Sequence, residues 1–311
     1  MFALPVPDYE SIPRFRSLLD EIDDRTRAEA LDLFLPQFRK RYLKELVSPK
    51  VDYSVRIGAG DDVLRDLQQD GCALTRIDTA DKARLVEITA PLVADLDARQ
   101  TASPAPTFKH GQLRLDREAH AAIFEHVDHM FSTGPVYAVS SAYAGRPLTL
   151  AAMAIQVNDE RTTALKYGAL GADGLPALKT SYYHIDSGAW PPLKVLIYLN
   201  RVTPDEGPFR YVIGSHRLTE VFELAVRKTN DKIKIPTKLF LALPPPFRLY
   251  TDFGDYMDPD SAAAAALQGR EREICDGESD LILFDYNGVH RGGFVRRGHR
   301  YMLQCAFDPK A

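Results

Sequence analysis

A chain of 311 residues with 45% hydrophobic side chains can bury a substantial core, as one large domain or two ordinary ones. Lys and Arg number 39 against 43 Asp and Glu, giving a net charge of -4 with no long block of one sign. That balance argues against nucleic acid or an anionic membrane surface as the main partner and leaves a small-molecule substrate as the expectation. The stretch MFALPVPDYESIPRF lacks a basic start followed by an apolar core, and no other segment is long enough to span a bilayer. A cytoplasmic protein is expected. Cys72, Cys275 and Cys305 are too scattered for a disulfide framework or a zinc cluster and read as small core residues.

In chain order, the first third reads helical. Phe15, Leu18, Leu19 and Ile22 fall at helical spacing behind a capping candidate at Ser11, and Leu85, Ile88, Leu92 and Leu96 repeat the pattern, with a kink expected at Pro91. Between them, Gly71-Cys72-Ala73-Leu74 has the character of a strand that opens a sheet. After the loop TASPAPT, Ile123, Val127, Met130 and Phe131 mark another helix. From about residue 147 the signal turns to strands: PLTLAAMAIQV, LKVLIYLNRV, FRYVIG, DLILFDY and RYMLQCAF, separated by turns rich in Gly, Pro, Asp and Asn. Many short strands without alternating helices imply an antiparallel sandwich or barrel in the manner of a jelly roll. The stretch from about Leu218 to Arg272, with its proline and alanine runs, reads as an insertion that forms a lid or binding loop, or a surface excursion.

The chemistry-bearing residues are His184 and Asp186 in SYYHIDSGAW and His290 in LILFDYNGVHRGG. Two neutral imidazoles and one carboxylate can hold one face of an octahedral Fe(II) and leave the other positions open, the arrangement of non-haem oxygenases. A rival H-x-D triplet, His126-Val127-Asp128, sits in a helical pattern, where positions two apart diverge by about 200° around the axis and cannot converge on one ion. In an extended chain alternate side chains share a face, so His184 and Asp186 can point the same way. Arg300, ten residues beyond His290 at the head of an apolar run, could hold a dicarboxylate by a bidentate ion pair. Arg296 and Arg297 compete for that role but lie in a glycine-bearing turn, whereas Arg300 shares a strand face with Met302 and Gln304.

The surrounding order carries a resemblance. LKVLIYLNRVTPDEGPFRYVIGSHR gives a strand, an acidic turn with Gly207-Pro208 and a second strand closing in Gly214-Ser215-His216; DGESDLILFDYNGVH then gives a turn and an apolar strand ending at histidine. This closely resembles the phytanoyl-CoA dioxygenase-like family of Fe(II)- and 2-oxoglutarate-dependent oxygenases. The likeness is dense from Ser181 to Phe307 and thin elsewhere, although LQQDGCALTRID at residues 67–78 looks like the family's first core strand. It implies a mainly β chain with flanking helices, a double-stranded β-helix (cupin-type jelly roll) over residues 61–311 behind an N-terminal helical extension at 1–60. By position it implies His184, Asp186 and His290 as iron ligands, Arg300 as the partner of the far carboxylate of 2-oxoglutarate, and a structural role for His216. Ile185 stands where glutamine is common, and the aromatic residue that often follows arrives late, as Trp190. Asp186 favours hydroxylation over halogenation, because related halogenases have a small residue there.

The implied reaction consumes O2 and 2-oxoglutarate, releases succinate and CO2, and oxidises a C–H bond of a metabolite or natural-product intermediate, the protein supplying orientation and a dry pocket. No basic cluster marks a coenzyme A carrier. Gln156 either faces the barrel and contacts the co-substrate or points outward. Tyr182, on the same side as His184, and Trp190 are expected in the substrate wall or the core. Asp285 or Asn287 is expected to orient the His290 ring. The competing classes are a cupin-like metal or small-molecule binding protein and a redox-neutral metal enzyme. Arg300 discriminates, because neither needs a buried cation beyond the last ligand.

Overall fold

The computed structural model describes residues 17–103, 110–163, 183–186, 188, 190–217, 221–233, 237–245, 247–248, 262–277 and 281–310. The first half interleaves helices with three strands: α1 (Asp24–Val47), α2 (Asp61–Asp70), β1 (Cys72–Thr75), α3 (Thr79–Ala102), β2 (Gln112–Arg114), α4 (Ala121–Thr133), α5 (Val136–Ala144), β3 (Leu148–Asn158) and the single turn α6 (Glu160–Thr163). The second half runs β4 (Leu193–Tyr198), β5 (Phe209–Val212), α7 (Val221–Ile233), α8 (Thr237–Ala242), α9 (Ala262–Gln268), β6 (Glu271–Ile274), β7 (Leu281–Asp285), β8 (His290–Gly292) and β9 (Arg300–Pro309). Helix takes up more of the described chain than strand, so the expected mainly β chain is corrected to helices plus antiparallel sheet. Pro91 lies inside α3 without ending it. Ser11 and Phe15 lie outside the described residues.

The strands form two antiparallel sheets, a larger one in the order β1-β7-β4-β9-β3-β2 and a smaller one in the order β6-β5-β8. Alternation explains how the larger sheet is used, since successive side chains leave opposite faces. Leu193, Val195 and Ile197 of β4, Leu281 and Leu283 of β7, and Leu303, Cys305 and Phe307 of β9 join the main apolar cluster with Leu85, Val127, Phe131 and Val139 from the covering helices. The opposite parity, Leu196 and Tyr198, Ile282 and Phe284, and Met302, meets Phe209 and Tyr211 of the smaller sheet. His184, Asp186, His290, Arg300 and Gln156 border the space between the two sheets.

The joint from α2 into β1 needs a glycine. Gly71 has φ +81°, and a Cβ there would lie 2.4 Å from both His216 Nδ1 and Tyr211 Oη. Tyr198 ties the sheets from inside: its hydroxyl accepts from Phe209 N and donates to the Ile274 carbonyl, both at 2.7 Å.

The described residues of the stretch read as an insertion are largely helical, and β6 begins inside its last residues. Ala225, Val226, Phe240 and Leu241 from it pack against Ala30, Phe34 and Phe38 of α1 in a second apolar cluster. Asp23 caps α1 by accepting from Thr26 N at 2.7 Å. Thus α1 is held by long-range contact with a segment about two hundred residues later in the chain.

Candidate metal centre

His184 and Asp186 precede β4, and His290 opens β8. An isolated antiparallel bridge joins the histidines, His184 N donating to His290 O at 3.0 Å and His290 N to His184 O at 2.9 Å. Asp186 N donates to Tyr286 O at 3.0 Å, a separate backbone bond that holds the aspartate beside the bridge. Backbone pairing therefore turns three side chains to one point, with one donor atom from each lying within 4.8 Å of the others. His184 Nε2 is 3.9 Å from Asp186 Oδ1 and His290 Nε2 is 3.7 Å from Asp186 Oδ2.

The protonation states suit a cation. His290 Nδ1 lies 2.9 Å from the Gly288 carbonyl, which can only accept, so the proton is on Nδ1 and Nε2 presents its lone pair. Burial, with the neighbouring His184 acting in the same sense, pushes the His290 imidazole down to about 3, and the ring is neutral at pH 7. For Asp186, burial pulls upward, but the Lys194 ammonium and the two imidazoles outweigh it and hold the carboxyl well below the usual range. Lys194 Nζ contacts Asp186 Oδ2 at 2.6 Å. His184, Asp186 and His290 could hold a metal ion: two imidazoles and one ionised carboxylate are a donor set that fits one.

These residues line a cavity of about 270 Å³ with Gln112, Gln156, Lys194, Leu196, Phe209, Phe284, Gly292, Arg300, Met302 and Gln304. Arg300 is buried, and no carboxylate pairs with it among the described residues. Its Nη1 donates to the carbonyls of Gly207 and Gly293, and Nη2 donates to Asn158 Oδ1 at 3.1 Å, while buried Nε has no hydrogen-bond partner. Burial pulls the guanidinium below its ordinary range. The space it occupies depends on glycine: a Cβ on Gly292 would sit 2.7 Å from Arg300 Nη2. Gln304 donates to Gln156 Oε1 and Gln156 donates to Asn158 Oδ1 at 2.9 Å, so an amide relay runs from the cavity floor to the acceptor that holds Arg300.

Gln156 thus faces inward, on the parity of Met302 and Gln304. Trp190 does not join this group: it is half-buried against the main apolar cluster and lines a different cavity. Of the two places expected for it, substrate wall or core, the indole lies against the core. Tyr182 lies outside the described residues. Neither Asp285 nor Asn287 orients His290, since the Gly288 carbonyl does so and Asp285 instead accepts from Tyr143 Oη at 2.7 Å and Asn287 N at 2.8 Å. The rival triplet stays on α4: His126 Nε2 contacts the Asp81 carbonyl at 2.9 Å and Asp128 meets Tyr137 and Arg117. His216 is buried with Nε2 3.1 Å from the Gln68 carbonyl, outside the triad's cavity. Lys194 was not anticipated, yet a lone lysine in the apolar run LKVLIYL, on the parity of Leu196 and Tyr198, is the signal that finds it.

No protein-family model matches the chain, and no curated protein does. Similar solved structures include EctD from S. alaskensis with bound Fe, at 15% identity and TM-score 0.46 over 84% of this chain and 83% of that one. The non-heme alpha ketoglutarate dependent carbocyclase SnoK from nogalamycin biosynthesis is 13% identical with TM-score 0.47, covering 84% of this chain and 86% of that one. HygX from Streptomyces hygroscopicus, with nickel and 2-oxoglutarate bound, is 13% identical with TM-score 0.47, covering 80% and 87%. At 13–15% identity and TM-scores of 0.46–0.47, these likenesses assign neither fold nor activity to this chain.

Proposed function

We propose that this chain is an Fe(II)- and 2-oxoglutarate-dependent oxygenase that oxidises a C–H bond of a small metabolite, with the two facing sheets forming a double-stranded β-helix. The observation that carries the reading is Arg300, a buried cation without a carboxylate partner among the described residues, in the same cavity as the two histidines and the aspartate. A buried guanidinium held only by neutral acceptors is costly unless an anion joins it. A dicarboxylate that reached the metal with one end and Arg300 with the other would neutralise it.

In this reading His184, Asp186 and His290 hold the metal, and Lys194 keeps Asp186 ionised and engages one of its oxygens. Arg300 binds the far carboxylate of 2-oxoglutarate in the planar, two-point manner that guanidinium favours. Gln156 and Gln304 offer amide contacts along the co-substrate, and Leu196, Phe209, Phe284 and Met302 keep the cavity short of water. Iron bound here supplies the activation of O2 that couples decarboxylation of 2-oxoglutarate to substrate oxidation. A redox-neutral metal enzyme would have no use for the second cationic anchor.

The test is anaerobic titration of the protein with Fe(II) and 2-oxoglutarate. A visible metal-to-ligand charge-transfer band is expected, and its absence would remove the proposal. Arg300→Ala is expected to weaken 2-oxoglutarate binding by about a hundredfold, the worth of a charge-assisted bidentate contact, while leaving Fe(II) affinity unchanged. Equal loss of both would make Arg300 a structural residue.

A further inference from the structure

A second cavity, of about 180 Å³, lies between the C-terminal end of α1 with the segment after it, α7, and the chain from Gly188 to Pro192. It shares no lining residue with the metal cavity. Strand β7 explains the separation: Phe284 lines one cavity and Asp285 the other, because adjacent strand residues leave opposite faces.

Charge is segregated within it. Lys44 and Lys50 are exposed at its rim, whereas Glu45, Lys228 and Asp285 are buried. Lys228 Nζ lies 3.4 Å from both oxygens of Glu45, and Arg41 Nη1 reaches one of them at 3.6 Å, so the Glu45 carboxylate is matched by cations. Asp285 has hydrogen bonds from Tyr143 and Asn287 but no cation at ion-pair distance among the described residues. Asn287 and Trp190 also line the cavity, and Asn287 Oδ1 and Trp190 Nε1 are buried with no hydrogen-bond partner. Orphaned buried polar atoms around one cavity are rare in a folded chain and demand a partner. The Asp285 carboxyl and the unpartnered Asn287 amide oxygen on the inner wall, behind a rim with Lys44 and Lys50, fit a ligand with a donor cation at its inner end and an anion at its outer end.

We propose that this cavity binds a small zwitterion of the free amino-acid type, its ammonium donating to Asp285 and Asn287 and its carboxylate facing the indole N–H and the rim lysines. The ligand stays on the far side of β7 from the metal, so it acts as a second ligand and not as the molecule oxidised. The site stands whether or not the oxygenase reading holds.

Trp190 is the chain's one tryptophan and lines this cavity, so its fluorescence reports on occupancy directly. The full-length protein is titrated with alanine, serine and glutamine, and with their N-acetyl and amide forms, following fluorescence and melting temperature. Saturable binding is expected for free amino acids, about tenfold or more weaker for either capped form, since each cap removes one charge-assisted contact. Asp285→Asn is expected to weaken binding to a similar degree, Asn287→Ala serving as the second variant if the first does not fold. Arg300→Ala is expected to leave binding unchanged. No saturable response to any free amino acid, equal binding of capped forms, or loss of binding in Arg300→Ala would each overturn the proposal.

Discussion

Asp285→Asn should make the protein more stable at neutral pH, although it removes a buried hydrogen-bonding carboxylate. Asp285 is 1% exposed, and burial raises its carboxyl from 3.8 to about 7, against the partial opposition of Tyr143, the Asn287 amide and the distant Lys228. Between those two values the folded chain holds a proton that the unfolded chain has released, so stability falls as pH rises across the window. The contribution is fully present below pH 3.8 and lost by the time pH passes about 7. Three units correspond to something on the order of 4 kcal/mol, of which about 3 kcal/mol falls between pH 5 and 8. Asparagine keeps the acceptor for Asn287 N and can exchange roles with the Tyr143 hydroxyl, but has no proton to lose. Urea unfolding of both proteins at intervals from pH 5 to 8, with the slope checked for constancy, isolates the effect because every other titrating group cancels in the difference. The variant's advantage should grow with pH; a difference that is flat with pH, or a less stable variant at pH 8, would refute the reasoning.

Two further substitutions probe the charges directly. Gly292→Ala puts a methyl group 2.7 Å from Arg300 Nη2 and should displace the guanidinium, weakening 2-oxoglutarate binding by about tenfold or more in anaerobic titration while Fe(II) binding holds. Lys228→Met leaves Glu45 buried, with Arg41 at 3.6 Å as its remaining ion-pair partner among the described residues, and should cost about 3 kcal/mol in urea unfolding; adding Glu45→Gln should recover most of it.

How far these features could be read from the chain alone depended on whether a period was present. Strands β3, β4, β5, β7 and β9 carry apolar runs long enough for alternation to show, and the same rule separated His184 and Asp186 from the helical pair His126 and Asp128. Strands β2 and β8 are three residues each and have no period to show. Strand β6 reads EREI, charged rather than apolar, because Glu271 and Glu273 pair with Arg210 on the neighbouring β5 and Glu271 also with Arg291 on β8, one strand further. Trp190 could not be assigned to wall or core, because three residues separate it from Asp186 with no strand pattern to carry the alternation across. Gly288 could not be found as the residue that orients His290, since a backbone carbonyl leaves no trace in residue type.

The Arg300 guanidinium and the Asp285 carboxyl, both buried and without ion-pair partners among the described residues, do not weaken the fold at random; each faces a cavity. Arg300 and Asp285 lie on opposite faces of the larger sheet, one in the cavity shared with the triad and the other in the polar cavity beside α1. A sheet selected for stability alone would fill both positions with apolar side chains, as it does at Leu283 and Met302, the next residues on the same faces of the same strands, because replacing an uncompensated buried charge with a packed apolar group is commonly stabilising. The Glu45–Lys228 pair shows how this chain treats a buried charge when it closes one off: a partner sits at 3.4 Å. Where no such partner is supplied, the missing charge is most simply that of a ligand, an anion at Arg300 and a cation at Asp285. The two cavities are therefore expected to take opposite ends of different molecules, and the opposite signs give each its own selectivity.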